Sequence, residues 1–402
     1  MRGLRVTVVL GLAGLAGCSP EATAPDLGPM PSTVTLSADR LDLFVSERDS
    51  LYFGVWDIDG QPLEIDGQWS SSNAGVATVE GGRVVAVGAG EARIRVLVGA
   101  LAAEAEVYVA SPVLLALPIE GTVNRDFFMT HYAAHGEEDG VTTDFQCGRK
   151  SVLGHSGTDF ALIDMPAMKR GVVVRAAAGG VVERAHDGED DVHVFLDSTA
   201  VANEVVLNHG HGIRTVYSHL KQNSIRVVEG ARVEAGVPIA MVGSSGMSIM
   251  PHLHFELRLN DRAVDPFAGP CSSVVSHWAQ AVTYEDEYLL LAARVSDYQL
   301  RASPHLILDS PPQADTIFTG RTFVAWVEEL NADPTGSSIR LLDAAGAVYG
   351  DFVQLPSGGA LGLSWHSARM ALGDDVALGT WTMEYRYQGQ LRSQVSFEVA
   401  HR

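Results

Sequence analysis

Pro251-His252-Leu253-His254-Phe255-Glu256-Leu257 is the stretch on which the reading of this chain turns. On a strand, side chains two apart project to the same face, so His252 and His254 can look into one cleft. Pro251 suits the start of such a strand, where its missing N–H removes no ladder bond. A lone His-x-His also occurs as a plain surface pair, and two further phrases decide against that here. In Gly154-His-Ser-Gly-Thr-Asp159 a glycine-bounded turn lets an imidazole and a carboxylate four apart approach one point, and Tyr217-Ser-His219 adds another imidazole. A divalent ion needs neutral imidazoles and a carboxylate converging, with one coordination position left open. Histidines beyond that set are suited to moving protons near neutral pH.

At 402 residues the chain is too long for one ordinary core, so two or three domains are expected. Hydrophobic residues at 46% with 19% charged describe a folded, soluble protein, and 41 glycines with few long amphipathic runs favour strands and turns. The formal net charge is −21 with no basic cluster, which excludes a nucleic-acid partner.

Arg2 and Arg5 precede an apolar run from Val6 to Ala16, too short to span a bilayer. Leu15-Ala-Gly-Cys18 then resembles the lipobox of bacterial lipoproteins. That resemblance implies a signal and lipobox over 1–18, a lipid on Cys18 and a membrane anchor. Ser19 after the cysteine resembles the outer-membrane sorting pattern, which implies a lipid-anchored place in the cell envelope, on the periplasmic face of the outer membrane or otherwise extracytoplasmic. With Cys18 so assigned, Cys147 and Cys271 remain, and an exported compartment permits a disulfide between them. The alternative, a nucleophilic Cys147, lacks any thiol-protease pattern around Asp144-Phe-Gln-Cys-Gly148.

Residues 19–31 are rich in Pro, Ala and small polar residues and read as a linker. From Thr33 the pattern is strand-like: Ala92, Ile94 and Val96 alternate with Arg93 and Arg95, and Asp59-Gly60, Asp66-Gly67 and Gly81-Gly82 mark turns. Trp69-Ser-Ser-Ser-Asn73, Val76-Ala-Thr-Val79 and Gly88-Ala-Gly90 give residues 32–110 a resemblance to the bacterial Ig-like group 2 domain, with Trp69 as a core aromatic. Residues 112–272 hold the histidine phrases among short β segments. A connector with a helix around Val274 to Leu291 follows, within 273–299. Alternation at Trp381, Met383, Tyr385 and Tyr387 predicts a second sandwich over 300–402.

From His155 to Pro266 the chain resembles the lysostaphin-type, LytM-like zinc endopeptidases. The matching phrases are Val205-Val-Leu-Asn-His209-Gly, Thr215-Val-Tyr-Ser-His219-Leu, Val242-Gly-Ser-Ser-Gly246, Pro251-His-Leu-His-Phe-Glu-Leu257 and Val264-Asp-Pro266. The resemblance implies a central antiparallel β-sheet for this domain, and with the two sandwiches read on either side the fold expected is mainly β, a LytM-like peptidase domain flanked by two Ig-like β-sandwiches. It implies zinc on His155, Asp159 and His254, and catalytic roles for His219 and His252 in activating water and stabilising an oxyanion. The implied substrates are stem or cross-bridge peptides of peptidoglycan. A rival from another class is a non-catalytic envelope lipoprotein that binds peptidoglycan or activates an amidase, and a third is the same chemistry on protein substrates.

No His-Glu-x-x-His or Gly-x-Ser-x-Gly is present, so the helix-borne zinc mechanism and the serine elbow have no motif here. Gly243-Ser-Ser-Gly246 reads as a turn beside the cleft. Glu256 can accept a hydrogen bond from a ligand imidazole or be a plain strand glutamate. His131, His135, His186, His193, His209 and His211 read as surface or core histidines. The acidic segment Phe127 to Lys150 reads as a wall or lid over the cleft.

Overall fold

The computed structural model describes residues 30–138, 141–193, 197–297, 311–332, 336–353 and 362–402. The signal, Cys18 and most of the linker lie outside the described residues. Strands dominate, and the one helix among the described residues, Met165–Arg170, is six residues long. No helix among them is long and apolar enough to cross a membrane. The chain divides into two compact units, Met1–Val113 with Ser273–Val275, and Leu114–Ser272 with Ser276–Arg402.

In the first unit, Arg40–Phe44, Leu101–Ala110, Gly90–Val98 and Gln68–Ser71 form a four-stranded sheet. Its period-two pattern is the one the sequence announces: Ala92, Ile94, Val96 and Val98 are buried while Arg93 and Arg95 stay exposed. Trp69 packs against this core and meets Phe53 edge-on, with ring centroids 5.7 Å apart.

The second unit is built on an antiparallel sheet in the order Phe128–His131, Thr158–Ala161, His252–Leu259, Ile213–Ser218, Glu204–Gly210, Gly180–His186, Arg232–Val233. Arg262–Val264 pairs on the side of His252–Leu259. Leu253, Phe255, Leu257 and Leu259 are fully buried, so this strand turns one face to the core and the other, with His252 and His254, to the site. Register then does the assembling. Asp159 lies opposite His254, His254 opposite Ser218, and His131 opposite Asp159. Directly opposed residues bring their Cβ atoms within about 5 Å, so residues from four strands share one row. Gly157 is needed for that close pairing, because a Cβ there would lie 2.4 Å from Phe255 O.

The helix carries recognisable stop and start signals. Asp164 caps it by accepting from Ala167 N at 2.7 Å, Pro166 sits in the first turn, and Gly171 closes it at φ 89°. The helix expected around Val274 to Leu291 is absent, and this part of the reading is corrected. In its place Leu115 bridges Trp278, Trp278 is buried against Phe255 and Phe267, and Leu289–Ser296 is a strand. Aromatic anchoring to the sheet's core outweighs local helix propensity, which is worth tenths of a kcal/mol per residue.

Further along this segment, Tyr284 donates to Asp144 Oδ2 at 2.8 Å, and the fully buried Lys150 donates to Glu285 O at 2.5 Å. Burial pushes Lys150 down to about 8, against the pull of Asp144, Asp286 and Glu285. Cys147 and Cys271 form a disulfide, with Cα atoms 5.3 Å apart.

Leu289–Ser296 pairs with Thr322–Leu330, so the C-terminal sheet begins inside the stretch read as connector. That three-stranded sheet and a five-stranded one enclose Trp381, Met383, Tyr385, Phe397 and Val399. The alternation read at 381–387 is the buried face of Gly379–Tyr387.

Candidate metal centre

His155, Asp159 and His254 each offer one donor atom, and the three atoms lie within 4.8 Å of one another. Asp159 is the hub, with Oδ2 3.1 Å from His155 Nε2 and Oδ1 2.8 Å from His254 Nδ1. His155 sits on the turn opened by Gly154, whose φ of 79° favours glycine. The side chains of His155, Asp159 and His254 keep 11, 12 and 14% of their surface, so the group is largely but not fully buried.

The tautomers follow from the partners. A carbonyl oxygen only accepts, so His155 Nδ1 donates to Tyr132 O at 2.8 Å, and Nε2 is the atom turned to Asp159. That Nε2 is buried and makes no hydrogen bond despite its 3.1 Å approach to Oδ2. A lone pair set against a carboxylate needs a cation between them: a proton in the metal-free state, a divalent ion otherwise. His254 is similarly placed, with Nδ1 on Asp159 and Nε2 3.0 Å from Glu256 Oε1. Burial works against its charge, yet the two carboxylates hold it up at about 10. Burial opposes charge on His155 too, and Asp159 still lifts it above the ordinary imidazole value. Burial likewise opposes the Asp159 carboxylate, but His155 and the other imidazoles hold it well below the usual range. A carboxylate kept ionised and two imidazoles drawn to it are a donor set suited to a divalent ion.

Glu256 also accepts from Ser156 Oγ at 2.5 Å and pairs with Arg258 Nε. Burial disfavours its charge, but His254, Arg258 and Ser156 bring it down to about 2. It therefore stands as an ionised acceptor behind His254, the orientation that fixes a ligand's ring and raises its basicity.

His219 and His252 stand side by side, with ring centroids 4.5 Å apart, and His219 lies 5.9 Å from His254. His252 Nε2 is 3.8 Å from Asp159 Oδ1. Both use Nδ1 as donor, His219 to Ser245 O at 2.7 Å and His252 to Met250 O at 2.8 Å, which leaves Nε2 as the acceptor on each. Burial and the neighbouring imidazoles His252 and His254 push His219 down to about 3; burial also lowers His252. Burial therefore favours the neutral form of both rings. His219 holds φ at 60°, an unusual value for a histidine, and Gly243 N pins its carbonyl at 3.1 Å. The Gly243-Ser-Ser-Gly246 turn thus positions an imidazole through its backbone. His193 Nδ1 bonds Gly246 O at 2.6 Å in the same turn.

All five residues singled out in the sequence are therefore in one place. His131, read there as an ordinary histidine, is a sixth: its Nδ1 is 3.4 Å from Asp159 Oδ2 and its ring 5.8 Å from that of His155. Nothing in its sequence neighbourhood announces this, because its strand bulges between Met129 and His131 and only pairing with Thr158–Ala161 brings it in. His209 spends both ring nitrogens on Gly179 O and Thr215 Oγ1, and His135 pairs with Asp265 at 2.7 Å.

Residues 153–266 match Peptidase family M23. An uncharacterized metalloprotease of Haemophilus influenzae is 35% identical over 112 residues, 28% of this chain and 20% of that protein. The DD-carboxypeptidase/endopeptidase Mpg of Neisseria meningitidis is 34% identical over 113 residues, 28% of this chain and 22% of its own length. The murein hydrolase activator EnvC of Escherichia coli is 37% identical over 97 residues, 24% of this chain and 22% of EnvC. This chain thus spans only about a fifth of each of these relatives. Its residues 153–266 are a peptidase family M23, LytM-like domain.

Proposed function

We propose that this chain is a zinc metalloendopeptidase of the cell envelope that hydrolyses peptide bonds in the stem or cross-bridge peptides of peptidoglycan. The observation that carries the reading is the row of His155, Asp159 and His254 beside two neutral imidazoles with free Nε2 acceptors. A zinc ion held by His155 Nε2, Asp159 and His254 Nδ1 would supply a Lewis acid and a water of lowered pKa. The chain's own residues do the rest. Tyr132 O and Glu256 hold the two ligand rings in their tautomers. Of His219 and His252, one Nε2 would take the proton of the attacking water and pass that same proton to the leaving amine, and the other ring, on taking a proton from solvent, would donate to the developing oxyanion. Their low proton affinity keeps both in the accepting form before attack.

The names of two relatives, one a DD-carboxypeptidase/endopeptidase and one a murein hydrolase activator, favour wall peptides as substrate and keep the activator reading as the alternative. The complete donor set favours catalysis over activation. Incubation of the zinc-loaded protein with muropeptides of several cross-link types, read by mass spectrometry, is expected to release cleaved peptides. Intact muropeptides throughout would overturn the reading.

The Leu15-Ala-Gly-Cys18 phrase supports a diacylated Cys18 and an anchor on the periplasmic face of the outer membrane. The strand-rich regions before and after the peptidase domain fit Ig-like spacers. Cys18→Ser is expected to move the protein from the membrane fraction to the soluble periplasmic fraction; retention in membranes would dismiss the anchor.

A further inference from the structure

We propose that His131 is a positioning residue of the metal centre, donating from Nδ1 to Asp159 Oδ2 so that the carboxylate presents Oδ1 to the ion. The inference rests on the metal-centre reading above. Each imidazole ligand has one outer partner that fixes it: Tyr132 O holds His155 and Glu256 holds His254. Asp159 is the remaining ligand, and a free carboxylate swings between one-oxygen and two-oxygen binding unless its second oxygen is engaged. His131 Nδ1 stands 3.4 Å from that second oxygen, just beyond the usual N–H···O range, where Oδ2 is also drawn towards His155. An ion held by His155, Asp159 and His254 would remove that competing pull and leave Oδ2 to His131.

The placement is built into the backbone. His131 is the register partner of Asp159, and the adjacent residue, Tyr132, supplies the carbonyl for His155, so two consecutive residues orient two ligands. His131 itself is not among the residues whose donor atoms cluster within 4.8 Å, which speaks for a place behind the carboxylate rather than on the ion. The C-terminal sandwich reaches this point too. A methyl group on the α-carbon of Gly362 would touch Thr130 O at 3.6 Å and His131 Cε1 at 3.8 Å, so the chain entering Leu363–Ala371 backs the same residue.

The two side-chain amides separate the roles of the two ring nitrogens. Asparagine places an N–H donor where Nδ1 lies, whereas glutamine carries its amide one carbon further, to the place of Nε2. Zinc affinity is measured on the full-length chain by competition with a chromogenic chelator, and cobalt(II) absorption reports the ligand set. His131→Gln is expected to lose about 10–100-fold in zinc affinity, the usual effect of removing an outer-shell partner. His131→Asn is expected to keep the wild-type affinity and the wild-type cobalt spectrum. Equal affinity in all three proteins would overturn the proposal. So would loss in both variants with an altered cobalt spectrum, which would make His131 a ligand. If the wild-type chain itself takes up no zinc, the metal-centre reading falls first and this inference with it.

Discussion

On the proposed function, His155→Ala is expected to leave a folded chain that neither retains zinc nor turns over. The centre is laid on a preformed sheet: Asp159 and His254 are opposed in register, and the strand that bears His254 has a fully buried opposite face. Removing one ligand at the rim of that sheet takes nothing from its core, so circular dichroism and the melting temperature are expected to stay near wild type. Metal content, by contrast, should fall to background, because two donors cannot hold the ion against buffer. A bound metal supplies several kcal/mol of charge stabilisation, which corresponds to a loss of at least roughly 10³-fold in turnover. Chelation of the wild-type chain should reproduce the loss, and added zinc should reverse it there but not in the variant. Wild-type turnover by His155→Ala would remove the metal from the mechanism.

His219→Ala and His252→Ala separate chemistry from metal binding. Neither residue is in the clustered donor set, and each is tied through Nδ1 to a carbonyl of the 243–250 segment. Both variants should therefore carry zinc at the wild-type ratio while losing about 10²–10⁴-fold in turnover, the usual worth of a positioned general acid or base. The same pair decides between hydrolase and activator. An activator needs the surface and not the proton transfer, so it would keep its effect on cells in the His219→Ala background. Zinc-replete His219→Ala protein that restores normal growth to a null strain would count for the activator.

Much of this was legible because the information is local and periodic. The alternation at His252, His254 and Glu256 sets a face, and four-residue spacing across a glycine turn sets His155 beside Asp159. Those patterns survive folding because strand geometry repeats every two residues. What was not legible lies in pairing between distant strands. His131 is 28 residues from Asp159 and reaches it only through a bulged register, and Tyr132 contributes a carbonyl, which has no sequence signature. The expected helix over 274–291 failed for a related reason. Its apolar residues are spent on the core, Trp278 against Phe255 and Phe267, rather than on one helical stripe. The helix at Met165–Arg170 was a different miss: Asp164, Pro166 and Gly171 were all there to be read as cap, first turn and stop.

The bond between Cys147 and Cys271 closes a loop that contains His155, Asp159, His219, His252 and His254. Wherever proteases are present, an exposed loop within that span is open to attack. A single cut there leaves two pieces that are still one covalent molecule, with Thr158–Ala161 still laddered to His252–Leu259. Neither piece can diffuse away with a ligand. The cluster of His155, Asp159 and His254 is thus held together across a nick that would separate its members in an unbridged chain.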